Sequence, residues 1–285
     1  MRTDFEAQVR TMTDISDEEV VIRPGSRWRP INVNELWRYR ELLYFLSWRD
    51  VKVRYKQTWL GAAWAILQPV SMMVVFSLFF GRLGPDNTPY AVYVFAGLLP
   101  WQLFSYVLSE SSQSVVANER LVTKVYFPRL IIPMSSACTA LIDFSVSLIL
   151  LFVIMAYYGV RPGVAVLALP LFVMLAVLSA LSAGLWLGAL NVKYRDVRYT
   201  LTFLIQLWFF ATPVVYSASL VPTAWRTLYG LNPMAGVVEG FRWALLGKTA
   251  SPTMMVGMSV CATFAVLVGG IYYFRSVEDS FADVV

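Results

Sequence analysis

Residues 34–69 read NELWRYRELLYFLSWRDVKVRYKQTWLGAAWAILQP, a stretch that changes abruptly from charged and aromatic to apolar. At ~100° per helical residue, the aromatic side chains of its first part fall on one stripe and the cations on the stripe beside it. This pattern predicts an amphipathic helix over residues 34–57 that lies in a membrane surface, with rings among the headgroups and cations toward phosphate. The two stripes comprise Trp37, Tyr44, Trp48, Val51 and Tyr55, and Arg38, Arg49, Lys52 and Lys56.

The second part of the stretch begins a membrane span. Residues 58–81 carry no charged side chain, and this length is enough to cross a bilayer. The cations end where the apolar run begins, so the Lys/Arg rule places this end of the span in the cytosol. An ordinary basic flank of a transmembrane helix is the alternative to a surface helix. Residues 42–46 are apolar all round, so we expect part of the helix to pack on protein.

The composition indicates an integral membrane protein and argues against several kinds of site. The chain of 285 residues is 58% hydrophobic and only 14% charged, whereas soluble domains carry about a quarter charged residues. It contains no histidine, the commonest metal ligand and usual general base. No nucleophile–base or metal constellation is present, so we predict neither a catalytic nor a metal site. Cys138 and Cys261 lie in apolar runs and are expected to form no disulfide.

Six apolar runs predict an all-α protein with six transmembrane helices and both termini in the cytosol. The runs are residues 58–81, 91–109, 130–160, 162–192, 199–216 and 252–274. Pro100 interrupts the second run, which predicts a kink or a late helix start. Of the Lys and Arg residues, 18 fall in predicted inside segments and 5 in predicted outside segments, as the positive-inside rule requires. The net charge of +5 therefore orients the protein in the membrane and is not a nucleic-acid signal.

The predicted domains follow from these runs. Residues 1–33 are polar, contain no apolar signal-peptide core and predict a cytosolic tail. Residues 34–57 form the interfacial helix, and residues 58–285 form the transmembrane domain.

The segment Ser217–Ser251, between the fifth and sixth runs, is half apolar. Its apolar pieces are too short to span a bilayer, and Leu231–Met234 is typical of a turn followed by a helix start. Glu239 and Arg242 are three residues apart and able to pair on that helix. The segment predicts two short re-entrant helices, which protein must cover or which must line a cavity. A plain surface loop is the alternative.

Three further features are less informative. Gly247–Thr249 looks like the end of a phosphate-binding loop, but Arg242 occupies the position of the required first glycine and no strand precedes it. We therefore predict no ATP site in this chain. Gly184 and Gly188 form a GxxxG pair, which predicts close helix packing. Asp143 is an acid within the third run, where pairing with a neighbouring helix or lining a cavity is favoured over a proton relay.

Four stretches together resemble the membrane-spanning subunit of ABC-2 type exporters. They are similar above all to permeases that export lipid-linked O-antigen, capsule or teichoic acid polysaccharides. The stretches are RDVKVRYKQTWLGAAWAILQP (Arg49–Pro69), KVYFPRLIIP (Lys124–Pro133), NVKYRDVRY (Asn191–Tyr199) and LNPMAGVVEGFRWALLG (Leu231–Gly247). Each alone is weak, but their order and placement together are specific. Residues 1–33 have no counterpart.

The resemblance implies a homodimer that works with two copies of a separate ATPase in the bacterial cytoplasmic (inner) membrane. The ATPase would bind ATP, and this chain would hold no cofactor. Residues 118–129 would hold a coupling helix that docks into the ATPase, and the helix over residues 34–57 would also approach it. Residues 217–251 would form a gate on the outer side. The lipid-linked glycan would pass along the dimer interface, lined by the first and fifth spans.

Three groups of candidate site residues follow. Apolar side chains amid cations are typical of a docking interface, although a membrane belt is the alternative. The expected coupling residues are Lys124, Val125, Tyr126, Phe127 and Arg129. The expected gate residues are Asn232, Pro233, Glu239 and Arg242. Aromatic faces suit weak contact with sugar C–H groups, and the expected pathway residues are Trp64, Phe76, Phe203, Phe210 and Tyr216.

Three functions remain open on the sequence. The first is a permease for a lipid-linked polysaccharide, and the second is an ABC-2 permease for a small drug or lipid. The third is an ion-coupled carrier that uses Asp143 and needs no ATPase. A neighbouring ATPase gene would eliminate the third, and neighbouring glycosyltransferase genes would favour the first over the second.

Overall fold

The computed structural model describes residues 33–56, 63–81, 88–194, 196–222, 225, 228–247, 252–278 and 281. Over these residues the protein is built from helices. They are α1 (Val33–Arg38), α2 (Arg40–Lys56), α3 (Ala63–Phe80), α4 (Tyr90–Ala117), α5 (Glu119–Lys124), α6 (Ile131–Tyr157), α7 (Leu169–Lys193), α8 (Val197–Phe210), α9 (Pro233–Leu246) and α10 (Thr253–Glu278). Short 3-10 helices occupy Val164–Ala168 and Ala218–Leu220. Apart from Val33, the predicted N-terminal tail lies outside the described residues.

Five of the described helical segments are long and apolar enough to cross a membrane. They are α3, α4, α6, α10 and the segment Val164–Lys193, which contains α7. They correspond to five of the six predicted spans. The prediction of an all-α membrane protein is therefore confirmed at this level.

The predicted fifth span contains a shorter helix. α8 has 14 residues, which is about 21 Å, whereas a bilayer core needs about 30 Å. After Phe210 the chain turns through residues 211–216. Pro213 gives the physical reason, because it lacks an N–H and disfavours helical geometry at Thr212. The apolar run to Tyr216 is thus a helix followed by a turn.

α4 lies at the centre of the bundle and packs on α3, α6, α7, α8 and α9. Most of its side chains are buried. The helix begins at Tyr90, ten residues before Pro100, so the predicted late start is wrong. Gly184 and Gly188 of α7 face Ser111 and Ser112 of α4, and a Cβ on Gly184 would clash with the Ser111 hydroxyl oxygen. The close packing predicted for the GxxxG pair is therefore confirmed.

The apolar core consists of two clusters. The larger cluster joins α4, α6, α7 and α9. The smaller one, here named the basal cluster, joins α2, the segment after α4, and the far ends of α7 and α10. Its buried members are Leu46, Val115, Val122, Phe127, Leu130, Ile131, Ile132, Leu185, Ala189, Val192, Phe274 and Phe281. The basal cluster anchors the surface helix to the bundle.

The helix predicted over residues 34–57 forms as α1 and α2, and α2 runs alongside α6. The turn at Tyr39 barely interrupts it, because hydrogen bonds join Tyr39 to Glu35 and Leu43 to Tyr39 at 3.2 and 3.1 Å. Ser47 donates to the Ser135 carbonyl at 3.5 Å, and eight residues further along both helices Tyr55 donates to Asp143. The two helices therefore run parallel and in the same direction, and α2 lies beside α6 instead of across its end.

α2 is buried in part and exposed in part. Leu46 and Ser47 are buried, which confirms packing on protein near residues 42–46. Of the aromatic stripe, Trp37 of α1 and Tyr44 and Trp48 of α2 are exposed, whereas Val51 and Tyr55 are half-buried. Their placement in lipid headgroups stays a prediction.

Candidate functional site

The segment predicted to form a gate is built around a buried arginine. Arg242 on α9 is 1% exposed. It donates to the carbonyls of Pro213, Val214 and Tyr216 at 2.6, 2.5 and 3.1 Å. These carbonyls belong to the turn after α8, where no helix supplies donors. Arg242 therefore supplies hydrogen bonds to carbonyls that lie beyond the end of α8.

The charge of Arg242 is compensated within the same site. Glu239 pairs with it at 3.0 Å, which confirms the predicted pairing, and the guanidinium lies 3.8 Å from the Tyr93 ring centroid. A Cβ at Gly97 of α4 would lie 2.8 Å from Nη2 of Arg242. Glycine at position 97 is thus the residue that leaves room for the guanidinium.

Asn232 and Pro233 begin α9 and tie it to α8. The Asn232 side chain accepts from the Met234 N–H at 3.1 Å and from the Trp208 indole at 2.9 Å. Its amide donates to the Thr212 hydroxyl at 3.0 Å. Because α9 is packed inside the protein, the surface-loop alternative for this helix is wrong. Of the two predicted short helices, α9 is one, and the rest of the described segment contains the 3-10 turn Ala218–Leu220 and helical residues at 225 and 228–229.

Gly247 has a role different from phosphate binding. It adopts φ 63° and ends α9, where its N–H donates to the Trp243 carbonyl at 3.1 Å. A left-handed glycine of this kind is a common helix terminator. Lys248 and Thr249 lie outside the described residues.

The predicted coupling segment presents only part of its apolar residues to the surface. Val125 and Tyr126 are 53% and 61% exposed, whereas Phe127 is 5% exposed. The expected exposure of Phe127 is therefore wrong, because its ring fills the basal cluster. Lys124 is exposed at the end of α5.

Arg129 holds the coupling segment against the end of α10. Its N–H donates to the Glu278 carboxylate at 3.2 Å, and its guanidinium donates to the Glu278 carbonyl. The guanidinium also lies 5.8 Å from the Phe281 ring centroid. Arg129 thus has partners within its own chain, a role that the sequence pattern did not indicate.

A hydrogen bond joins α2 to the start of the coupling segment. Arg49 donates to the Asn118 side chain at 2.9 Å and pairs with Asp50 at 2.8 Å. Asn118 in turn donates to the Ser114 carbonyl at 2.9 Å. A displacement of α5 would therefore reach α2 directly.

The structure divides the predicted pathway aromatics into two groups. Trp64, Phe203 and Phe210 are more than half exposed, and the last two are seven residues apart on one face of α8. Phe76 instead stacks on Phe209 with centroids 5.8 Å apart. Tyr216 donates to the Phe210 carbonyl at 3.0 Å and shares a 2.8 Å hydrogen bond with Tyr229. Phe76 and Tyr216 thus support α8.

Asp143 is paired. Nη1 of Arg54 lies 2.7 Å from Oδ2 of Asp143, and the Tyr55 hydroxyl donates to Oδ1. Burial, followed by this hydrogen bond, raises the pKa of Tyr55 to about 12, so the hydroxyl keeps its proton at neutral pH. The sequence-based preference for pairing or cavity lining is confirmed on both counts.

The position of Asp143 along α6 explains how an acid is accommodated in this run. Ser147 donates to the Ala65 carbonyl at 3.0 Å, so the first turn of α3 lies level with Ser147. Asp143 precedes Ser147 by one turn, about 6 Å. Asp143 therefore lies beside the start of α3 and not beside the middle of α3.

A cavity of about 520 Å³ opens beside this ion pair, between α2, α3, α4, α6 and α8. Its lining combines polar side chains with four aromatic rings. Those used below are Trp64, Gln68, Gln102, Tyr106 and Thr202. Sequence reasoning missed this cavity, although Gln102, Ser105 and Ser109 share one face of α4 at helical spacing and gave a detectable signal.

The chain matches known transporter proteins over most of its length. Residues 41–246, which contain all three predicted sites, match the family described as ABC-2 type transporter. The O-antigen export system permease protein RfbA of Myxococcus xanthus is 33% identical over 255 residues, covering 88% of this chain and 98% of that protein. A protein of the same name from Klebsiella pneumoniae is 28% identical over 211 residues, covering 73% and 82%. The polysialic acid transport protein KpsM of Escherichia coli is 22% identical over 237 residues, covering 81% and 92%.

Proposed function

The chain belongs to the ABC-2 type transporter family, and we propose that it is the permease subunit that exports a lipid-linked polysaccharide of O-antigen type. The observation that carries this proposal is the 33% identity to an O-antigen export permease over 98% of that protein. KpsM, also matched over most of its length, is named for a polysaccharide as well. The protein is a transport subunit and not an enzyme.

A separate ATPase supplies the energy and binds the ATP, with two copies docking on a homodimer of this chain. The structure supports the coupling segment as the docking site through the exposed Lys124, Val125 and Tyr126. An apolar and aromatic pair beside a cation suits a small interface. The Arg49–Asn118 hydrogen bond then passes motion from this segment to α2.

The permease crosses the bacterial inner membrane six times, with both termini in the cytosol. α8 and the turn that Arg242 holds together make the fifth crossing. Because α8 is shorter than a bilayer is thick, α9 completes the outer part of this crossing as the re-entrant gate. Cysteine labelling tests this topology: Asn87 and Thr223, which lie outside the described residues, should label from outside, and Thr123 should not.

The glycan path lies between two copies of the chain, along α3 and α8. Little of α3 is buried within one copy, and both helices present apolar side chains outward. Phe203 and Phe210 line the path from α8, and Trp64 lines it from α3. Their ring faces offer weak contacts along which a polymer can slide.

The two other functions receive less support. A small-molecule permease shares the fold, but the relatives matched over most of the chain carry polysaccharide names. An ion-coupled carrier needs an acid that exchanges an ion, whereas Asp143 is compensated by Arg54.

Deletion of the gene tests the proposal. Surface polysaccharide should disappear and lipid-linked glycan should accumulate inside the cell, and the wild-type gene should restore export. Normal surface polysaccharide in the deletion strain would contradict the proposed function.

Co-purification with the ATPase from the same gene cluster should fail for a variant with Val125→Ala and Tyr126→Ala.

A further inference from the structure

The cavity beside Asp143 contains polar groups that the fold does not use. Among the described residues, no hydrogen-bond partner is found for the side-chain amides of Gln68 and Gln102 or for the Tyr106 hydroxyl. These groups line a cavity formed by helices that cross a membrane. Side-chain amides and hydroxyls that face a cavity without a protein partner are available to hydrogen-bond water or a polar ligand.

The charge of the cavity argues for an uncharged ligand. Arg54 and Asp143 are the charged side chains that line it, and they pair at 2.7 Å. The Arg54 guanidinium also lies 4.4 Å from the Tyr106 ring centroid. The cation is therefore held by a carboxylate and a ring, and a phosphate would have to displace Asp143 to reach it.

The remaining chemistry matches a sugar ring. A carboxamide offers a donor and an acceptor side by side, and so does a pair of neighbouring sugar hydroxyls. Trp64, 53% exposed, contributes a ring face suited to sugar C–H groups. The volume of about 520 Å³ falls in the usual range for small-ligand sites, roughly 300–1,000 Å³.

We propose that this cavity binds an uncharged sugar ring of the exported glycan, while the phosphate of the lipid carrier stays outside it. The proposal rests on the proposed function. Gln68, Gln102 and Tyr106 hydrogen-bond the sugar hydroxyls, and Trp64 covers one face of the ring. Because α2 carries Arg54 at the cavity and Arg49 at the coupling segment, the ATPase acts on this site through one helix.

The test uses a single cysteine in the cavity. Cys138 and Cys261 are replaced by alanine, Thr202→Cys is introduced at a lining position that the proposal gives no contact with the sugar, and the full-length protein is placed in lipid vesicles. The rate of modification by N-ethylmaleimide is then measured with dodecyl maltoside, dodecyl phosphate or dodecanol at equal mole fraction. Glu41→Cys, an exposed position near the start of α2 that does not line the cavity, is the control.

We expect dodecyl maltoside alone to slow modification at position 202, by about threefold at about twice its Kd. Adding Gln68→Ala and Tyr106→Phe should remove the protection, and Asp143→Asn should add protection by dodecyl phosphate because it releases Arg54. Equal protection by all three amphiphiles, or by none, would overturn the proposal. Neither result depends on export, so the outcome is separate from that of the deletion experiment.

Discussion

Two arginine–carboxylate pairs lie against the same central helix and have different surroundings. Arg242 stacks on Tyr93 and Arg54 stacks on Tyr106, 13 residues or about 20 Å apart along α4. The side chains of Arg242 and Glu239 are 1% and 12% exposed, whereas those of Arg54 and Asp143 are 39% and 18% exposed. The first pair is sealed in protein and the second borders a cavity.

The difference in burial implies a difference in role. Arg242 also serves three backbone carbonyls, so its loss would leave several buried groups unpaired at once. Arg54 and Asp143 can exchange their contacts for water or ligand at lower cost. The sealed pair therefore fixes the architecture around α8 and α9, and the open pair is placed where a substrate or α2 can move it.

Replacing Arg242 should reduce the stability of the protein more than any other substitution proposed below. Arg242→Met leaves Glu239 and the carbonyls of the turn after α8 without their donor. We expect a loss of about 3–5 kcal/mol, the usual cost of removing one member of a buried pair. Thermal unfolding of the purified protein measures this loss, with the exposed Arg198→Met as the matched control. An unchanged unfolding temperature would mean that the turn does not depend on Arg242.

The basal cluster offers a second contrast, between neighbouring residues. Phe127→Ala should destabilise the protein by about 3 kcal/mol, because a buried aromatic ring leaves a cavity. Tyr126→Ala should leave the unfolding temperature unchanged and reduce ATPase binding and export. Thermal unfolding and co-purification separate the two effects. If Tyr126→Ala destabilises and Phe127→Ala does not, the assignment of the buried and exposed rings is wrong.

Replacing Asn232 tests whether the packing of α9 against the end of α8 depends on Arg242 alone. Asn232→Ala removes the cap of α9 and the contact with Trp208, and loss of such a cap costs about 0.5–2 kcal/mol. Asn232→Asp keeps the oxygen that accepts from Met234 and Trp208 but loses the donation to Thr212. We expect stability in the order wild type, Asn232→Asp, Asn232→Ala, measured by thermal unfolding. Equal loss in both variants would assign the effect to the donated hydrogen bond alone.

The sequence predicts those features that depend on spacing within one helix. The Glu239–Arg242 pair and the small face at Gly184 and Gly188 both follow from residues three or four positions apart. Hydrophobicity also identifies the long helices, because an apolar run of sufficient length has few other structures available in a membrane.

Features that depend on distant residues were not predictable from these patterns. The partners Arg54 and Asp143 are 89 residues apart, and Arg129 contacts Glu278, 149 residues away. Phe127 looks like its exposed neighbours in sequence but is buried by the ends of α7 and α10. The end of α8 at Phe210 was masked by continuing hydrophobicity, although Pro213 gives a local reason for it.

The smallest expected effect on stability comes from removing the carboxylate charge of the Arg54–Asp143 pair. The matching change in the buried Arg242–Glu239 pair serves as the comparison. Asp143→Asn and Glu239→Gln make the same chemical change, a carboxylate to a carboxamide, beside two arginines that both stack on tyrosine. Asp143→Asn should cost no more than about 1 kcal/mol, because Arg54 is partly solvated and retains the Tyr106 ring. Glu239→Gln should cost about 3 kcal/mol, because it leaves a fully buried arginine without its counter-charge. Thermal unfolding compares the two, and surface polysaccharide reports export. We expect Asp143→Asn to keep its fold and lose export, since the released Arg54 charge changes the cavity and frees α2 from α6. Equal destabilisation by both substitutions would show that cavity exposure does not weaken the Arg54–Asp143 pair, and normal export from a stable Asp143→Asn protein would remove that pair from the transport mechanism.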